Sequence, residues 1–327
     1  MNENKNTKLT MSVSPHFKST ETTMGVMLNV IIALLPALIA SIFVFKMKAF
    51  MVIATSVISC VLFEYIARKI MKKENTIYDL SAVVTGILLA FNLPSNIPLW
   101  IVVLGALIAI VVVKQFFGGL GQNFVNPALA ARIILMSSFP ARMSSWPVPG
   151  KDVTVTGATP MALLKQHNIQ DLPSIKDMLF GMHGGSLGET CAIALILGGL
   201  YLIIKKVITP TIPLTYIATV AIGMLFASKF NFTFMLYEVL GGGLLLGAIF
   251  MATDYVTCPV TEKGRFIYAL CAGILTLLIR LFASMPEGVS FSILLMNIFT
   301  PQIDKISRPK PFGFVKEKKA KKVKEEK

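Results

Sequence analysis

Thr156-Gly157-Ala158-Thr159-Pro160 sets two hydroxyls around two small residues, in the one long polar loop of an otherwise apolar chain. A threonine hydroxyl can be esterified by a phosphate, and Gly157 and Ala158 leave room for a bulky phosphoester beside the backbone. Thr159-Pro160 also reads as a helix start. Threonine suits the N-cap, proline suits the first helical position, and Met161-Ala162-Leu163-Leu164-Lys165-Gln166 continues with good helix formers. The two readings are compatible, because free backbone N–H groups and the helix dipole favour an anion at that end. Lys165 is a candidate neutralising partner, with plain solvation as the alternative.

The loop ends Gly184-Gly185-Ser186-Leu187-Gly188-Glu189-Thr190. Ser186 and Glu189 have capping-box spacing ahead of an apolar run, and the glycines permit a close-approach turn that can pack on a ring system. His183 beside them has no second ligand at metal-binding spacing. A second candidate site is Gly118-Gly119-Leu120-Gly121-Gln122-Asn123-Phe124-Val125-Asn126-Pro127. It lacks the strand and the Lys-Ser/Thr of a phosphate-binding loop. Asn123 and Asn126, three apart at an expected helix start, can offer two amides to one ring.

The elements that must position these residues are membrane helices. Hydrophobic residues make up 54% of the 327-residue chain and charged residues 15%, with a mean hydropathy of +0.71. Soluble domains are about a quarter charged, so a soluble globular protein is excluded, and the length suits about ten spans of roughly 20 residues. Cys60, Cys191, Cys258 and Cys271 show no paired spacing and read as buried small hydrophobes, with an iron–sulfur ligand shared with a partner as the alternative. Ten of the 31 Lys and Arg residues lie between Lys305 and Lys327. Directly after a span, such a tail fixes topology and meets acidic lipid rather than nucleic acid. The polar segment from Met1 to Thr23 is not a signal peptide by pattern.

Apolar runs predict helices at about Met24–Phe45, Ala49–Ala67, Tyr78–Phe91, Ile97–Val113 and Gln122–Phe139. After the loop come Glu189–Ile204, Ile212–Phe226, Phe232–Met251, Phe266–Phe282 and Val289–Phe299. With the N-terminus inside, the inner short loops carry Arg68, Lys69, Lys72, Lys73, Lys114, Lys205, Lys206, Lys263 and Arg265. The outer ones carry Lys46, Lys48, Lys229 and Arg280. Both termini are therefore expected in the cytoplasm, with the long loop outside. The expected organisation is a cytoplasmic segment 1–23, a first five-helix membrane unit 24–139, an extracytoplasmic loop 140–188, a second five-helix unit 189–303 and a basic tail 304–327.

The halves correspond faintly. Gly86-Ile87-Leu88-Leu89-Ala90-Phe91 runs into Asn92-Leu93-Pro94, and Gly243-Leu244-Leu245-Leu246-Gly247-Ala248 runs on to Thr253-Asp254 and Pro259. Helices that stop early at matching positions are the mark of inverted-repeat transporters, whose broken ends line a central site.

Together the motifs resemble the NqrB/RnfD family, the flavin-carrying membrane subunits of sodium-pumping NADH:quinone reductase and of the Rnf electron-transport complex, and RnfD most. The resemblance covers essentially the whole chain. Its carriers are Ser12-Val13-Ser14-Pro15-His16, Gly121-Gln122-Asn123 with Asn126-Pro127-Ala128, Ser144-Ser145-Trp146 and Thr156–Pro160. Further carriers are Gly185–Thr190 and Met251-Ala252-Thr253-Asp254 with Pro259-Val260-Thr261. The resemblance implies an all-α, urea-transporter-like fold of about ten helices in two inverted five-helix repeats. It implies FMN held by Thr159 as a phosphodiester that a flavin transferase installs, with Thr156, Gly157, Ala158, Gly185 and Ser186 around it. It also implies a non-covalent riboflavin near Asn123 and Asn126. The expected setting is a hetero-oligomeric complex with other Rnf subunits in a bacterial or archaeal cell membrane. There electrons pass between reduced ferredoxin and NAD, coupled to Na+ or H+ movement.

Two positions depart from the family pattern: Asp152 is separated from Thr156 by three residues, where the family has an Asp two residues before the motif, and Asp254 is followed by Tyr255 rather than proline. Two alternatives stay open, an NqrB-type subunit, although only about 23 residues precede the first span, and a flavin-free solute channel on the same scaffold. Glu64, Arg132, Glu189, Glu238, Asp254 and Arg280 are the ionisable groups within or at the ends of spans. Such groups are functional candidates by default. Glu64, Glu189 and Arg280 lie near helix ends, where snorkelling or capping explains them, and Asp254 is the candidate for the ion pathway.

Overall fold

A computed structural model describes residues 22–149, 156–166, 171–189, 191–283 and 287–309. The Ser12–His16 motif, Asp152, Thr190 and the tail beyond residue 309 lie outside the described residues.

The chain is helical. α1 (Thr23–Ile70) runs through both of the first two expected helices and breaks at Lys46 (φ 54°, ψ −142°). Then come α2 (Ser81–Phe91), α3 (Leu99–Leu107) with a wide π-type continuation over Ile108–Gln115, and α4 (Pro127–Ser138). The loop carries α5 (Pro140–Met143), β1 (Trp146–Pro147), β2 (Thr156–Gly157), α6 (Pro160–Lys165) and α7 (Ile175–Phe180). The remainder is α8 (Ala192–Ile204), α9 (Thr211–Ala227), α10 (Phe232–Leu240), α11 (Leu244–Leu246) with a π-type turn over Gly247–Met251, α12 (Glu262–Phe282) and α13 (Val289–Ser307).

Among the described residues α1 and α12 are each long and apolar enough to cross a bilayer, whereas α10 and the Leu244–Met251 segment reach that length only as a pair, bent by 59° at the break between them. The other apolar helices are shorter. The bend has a local cause: Gly242 and Gly243 both take φ of +67°, a left-handed conformation that glycine adopts without a Cβ clash.

The all-α class holds, with one two-residue ladder in the loop, where Trp146 and Pro147 pair antiparallel with Gly157 and Thr156. Two expected helix starts need correction. α4 begins at Pro127 rather than near Gln122, since Asn126 takes the N-cap and accepts from the N–H groups of Ala128 (3.1 Å) and Leu129 (3.4 Å). α8 begins at Ala192 rather than Glu189. The N–H groups of Leu187 and Gly188 are already bonded to the carbonyls of Leu93 (3.1 Å) and Phe91 (3.0 Å). The Ser186 hydroxyl donates to Glu189 Oε2 at 2.9 Å, closing a turn ahead of the helix instead of capping it.

Small residues and buried hydroxyls hold the helices together, as expected where lipid offers no hydrophobic contrast. A Cβ on Gly198 of α8 would lie 2.1 Å from the Ala33 carbonyl oxygen of α1, and Tyr201 Oη donates to Asn29 Oδ1 nearby at 2.9 Å. The second part of α1 packs on α2, where Ser56 Oγ donates to the Gly86 carbonyl at 2.7 Å. Tyr216 of α9 ties α12 and α13 through Thr276 and Ser292, both at 2.7 Å.

Charge is also inside. Lys114 Nζ meets Glu64 at 2.8 Å and 3.0 Å, and Arg280 Nη1 meets Glu238 at 3.0 Å. Glu64 is 0% exposed, so it does not snorkel to an interface. A charge this deep is tolerated only because it is paired and further hydrogen-bonded, here by Thr76 (3.0 Å) and Gln115 (3.1 Å). Lys114 and Arg280 are thus pair members rather than loop charges. Removing one from each side of the topology count leaves its bias in place.

Candidate functional site

Thr159 lies just after the strand ladder, in extended conformation (φ −65°, ψ 153°), and its hydroxyl accepts from the Ala162 N–H at 3.2 Å. The cap foreseen from Thr159-Pro160 is therefore present. α6 has only six residues, so its macrodipole is small and the local N–H groups matter more. Lys165 does not turn toward Thr159, since its ammonium donates to the Ala283 carbonyl.

Thr159 is 4% exposed and opens on a cavity of about 220 Å3. The walls come from four places. α4 gives Arg132, Ile133 and Met136, the ladder gives Trp146 and Gly157, and Ala158 and Ala162 flank Thr159. Glu287, Ser290 and Phe291 close it from the start of α13. The surface is mostly apolar, with one ion pair, Arg132–Glu287, set into it. Burial pushes the Glu287 carboxyl up from its ordinary range, while Arg132 beside it pulls it down.

Gly157 serves the ladder rather than leaving empty space. A Cβ there would lie 2.7 Å from Val148 Cγ2. Ala158 is exposed, and Thr156 pairs with Pro147 through the backbone. Gly185 and Ser186 are buried but do not line the cavity. Their turn is pinned to the end of α2, and Gly184 packs beside Trp146, with a Cβ position 3.7 Å from Trp146 Cβ. His183 Nδ1 lies 3.2 Å from the Gly184 carbonyl.

Asn123 and Asn126 line a second cavity of about 90 Å3 together with Ser81, Thr85, Lys114, Phe250, Thr253 and Asp254. Asn126 is largely committed: besides its cap it donates to the Met251 carbonyl at 3.3 Å, and its backbone N–H reaches the Asn297 amide oxygen at 3.1 Å when that amide is turned over. Asn123 donates to the Val125 carbonyl at 3.1 Å. Asp254 sits in the turn after the second broken helix, and among the described residues its carboxylate accepts only long bonds, from Val256 N–H (3.5 Å) and Thr257 Oγ1 (3.4 Å). Its carboxylate is thus weakly committed and faces a cavity that also holds Lys114.

The two sequence-level sites are therefore separate cavities. Reasoning from sequence missed Glu287 altogether and had Arg132 only as an isolated intramembrane charge. Nothing in the local sequence links two residues 155 positions apart.

The fold and cavities define a helical membrane protein with a structured loop, whose capped threonine opens on an apolar, ion-paired pocket. The chain belongs to the NQR2, RnfD, RnfE family, whose model matches residues 10–313. It is 49% identical over 313 residues to the D component of the Na(+)-translocating ferredoxin:NAD(+) oxidoreductase complex of Acetobacterium woodii, covering 95% of this chain and 97% of the relative. It is 44% identical to the D component of the proton-translocating ferredoxin:NAD(+) oxidoreductase complex of Clostridium ljungdahlii, covering 93% and 96%. With the D component of the ion-translocating oxidoreductase complex of Alcanivorax borkumensis it shares 34%, over 93% and 97%.

Proposed function

We propose that the chain is the RnfD component of an ion-translocating ferredoxin:NAD+ oxidoreductase complex and carries FMN as a phosphodiester on Thr159, installed by a flavin transferase. The observation that carries this reading is the placement of Thr159: its hydroxyl stands at the edge of a pocket walled by Trp146, Phe291 and Met136 and by one charge pair. The residues fit a flavin. Aromatic and aliphatic walls suit a planar ring, and Arg132 with Glu287 offers donors and acceptors to its polar edge. Full-length similarity to components of two ferredoxin:NAD(+) oxidoreductase complexes at 44–49% identity favours this over a quinone reductase component or a flavin-free channel.

Bound there, FMN supplies a centre that takes up and gives out electrons singly or in pairs. The protein does the rest. The Trp146–Gly157 ladder fixes the position of Thr159, the apolar wall excludes water, and the neutralised ion pair keeps the pocket near zero net charge.

A non-covalent riboflavin would lie near Asn123 and Asn126, with only part of it in the second cavity and Asn123 offering the more available amide. Asp254 would serve the Na+ or H+ route. Two inverted five-helix repeats with both termini in the cytoplasm accommodate these roles. Their support is a set of matching irregularities: Lys46 and Lys229 both at φ 54°, and Leu80 (φ 58°) and Gly243 (φ 67°) opening the short helices of each half. The buried pairs Glu64–Lys114 and Glu238–Arg280 follow the same pattern.

The test is in-gel flavin fluorescence of the full chain coexpressed with the transferase. Fluorescence at the mass of this chain that vanishes in Thr159→Ala supports the reading, and persistence in that variant moves the attachment elsewhere. For Asp254→Asn, ion-coupled turnover falls while fluorescence remains. Unchanged ion pumping would remove Asp254 from the route.

A further inference from the structure

Among the described residues three ion pairs are buried. Two of them do not line the Thr159 pocket, although Arg280 Nε of one donates to the Glu287 carbonyl at 3.0 Å. The third, Arg132–Glu287, stands in its wall. The side chains of Arg132 and Glu287 are only 6% and 13% exposed, so both charges act in a low-dielectric setting where their influence on a neighbour is large.

The pair is also held in place. Arg132 Nη1 donates to Asn92 Oδ1 at 2.8 Å. Asn92 caps the end of α2, where its own amide donates to the Leu88 carbonyl at 2.6 Å and lies 3.7 Å from Met251 Sδ. The guanidinium is therefore fixed from behind by the end of one broken helix, and Met251 ends the other. Glu287 holds it from the side.

We propose that Arg132 and Glu287 are a tuning pair that sets the electron affinity of the ring beside Thr159, with Asn92 as the anchor that keeps the guanidinium at the pocket wall. This rests on the reading of Thr159 as the flavin-bearing residue. An electron added to a ring in this pocket adds negative charge, which a permanently charged guanidinium favours and a carboxylate opposes. The two effects have opposite sign, so each partner predicts its own direction. An ion pair that only held α4 to the start of α13 would stabilise the fold without a signed effect on potential.

The test is a spectroelectrochemical titration of the full chain, matured with its transferase, after in-gel fluorescence has established that flavin is attached. Glu287→Gln, which keeps the shape and removes the charge, raises the midpoint potential by about 59 mV or more, a tenfold change for a one-electron couple. Arg132→Gln lowers it by a similar amount, and Arg132→Lys falls between that variant and the parent. Equal potentials in Glu287→Gln and the parent, with fluorescence intact, would overturn the proposal. Should Arg132→Gln fail to fold, Glu287→Gln decides alone. A parent chain without covalent flavin fails at the gel, before any potential is read, and defeats the Thr159 reading together with this one.

Discussion

The two cavities are built from opposite kinds of sequence. The Thr159 pocket centres on a contiguous motif, in which a short strand, a cap and a one-and-a-half-turn helix follow within ten residues. The Asn126 cavity has no such centre. It forms where α2, α4 and the Gly247–Met251 turn converge, and its polar groups come from positions as distant as Ser81 and Asp254. A group attached covalently needs one correctly placed nucleophile, which local sequence can supply. A group held without a bond needs several converging contacts, which only tertiary structure supplies.

Breaking each cavity at its own centre should separate them. Thr159→Ala is expected to abolish covalent flavin entirely and leave any non-covalent flavin in place, whereas Thr159→Ser retains attachment. Fluorescence of denatured and of native protein distinguishes the two pools. Loss of both pools in Thr159→Ala would mean the cavities are not independent.

Next in size is the buried pair beside the second cavity. Glu64→Ala strands Lys114 and should cost about 3–5 kcal/mol, read as a lowered unfolding midpoint in detergent. Replacing both partners with apolar residues of similar volume should cost far less. A single variant as stable as the parent would show that Lys114 finds another partner or water.

Gly157→Ala tests the loop itself. With Val148 Cγ2 only 2.7 Å from the new Cβ, overpacking of about 1–3 kcal/mol is expected, together with reduced flavin attachment as the ladder shifts. Normal attachment would separate the strand pairing from the placement of Thr159.

The smallest effect is Asn126→Ala. Loss of the α4 cap should cost about 0.5–2 kcal/mol and weaken non-covalent flavin, with attachment at Thr159 unchanged. Native-state flavin stoichiometry after gel filtration measures it.

What was legible in the sequence follows the range of the interaction. The Thr159 cap was readable because its partner is three residues away, and the Asn126-Pro127 pair carries the same signal, although the apolar run placed the start of α4 too early. The second broken helix was readable from its glycines. Its partner in the first half is entered through Leu80 at φ 58°, where no glycine marks the turn. The Ser186–Glu189 spacing misled: the two side chains do bond, but tertiary hydrogen bonds to Phe91 and Leu93 had already claimed the intervening N–H groups. Pairs such as Lys114–Glu64 and Arg132–Glu287 leave no local trace, because each joins helices brought together only by the fold.

The central claim is the bond at Thr159, and peptide mass spectrometry of the assembled, active complex tests it most directly. The account predicts that the peptide containing residue 159 carries FMN, with fragment ions assigning it to that threonine. An unmodified Thr159 in a complex that still transfers electrons would contradict it.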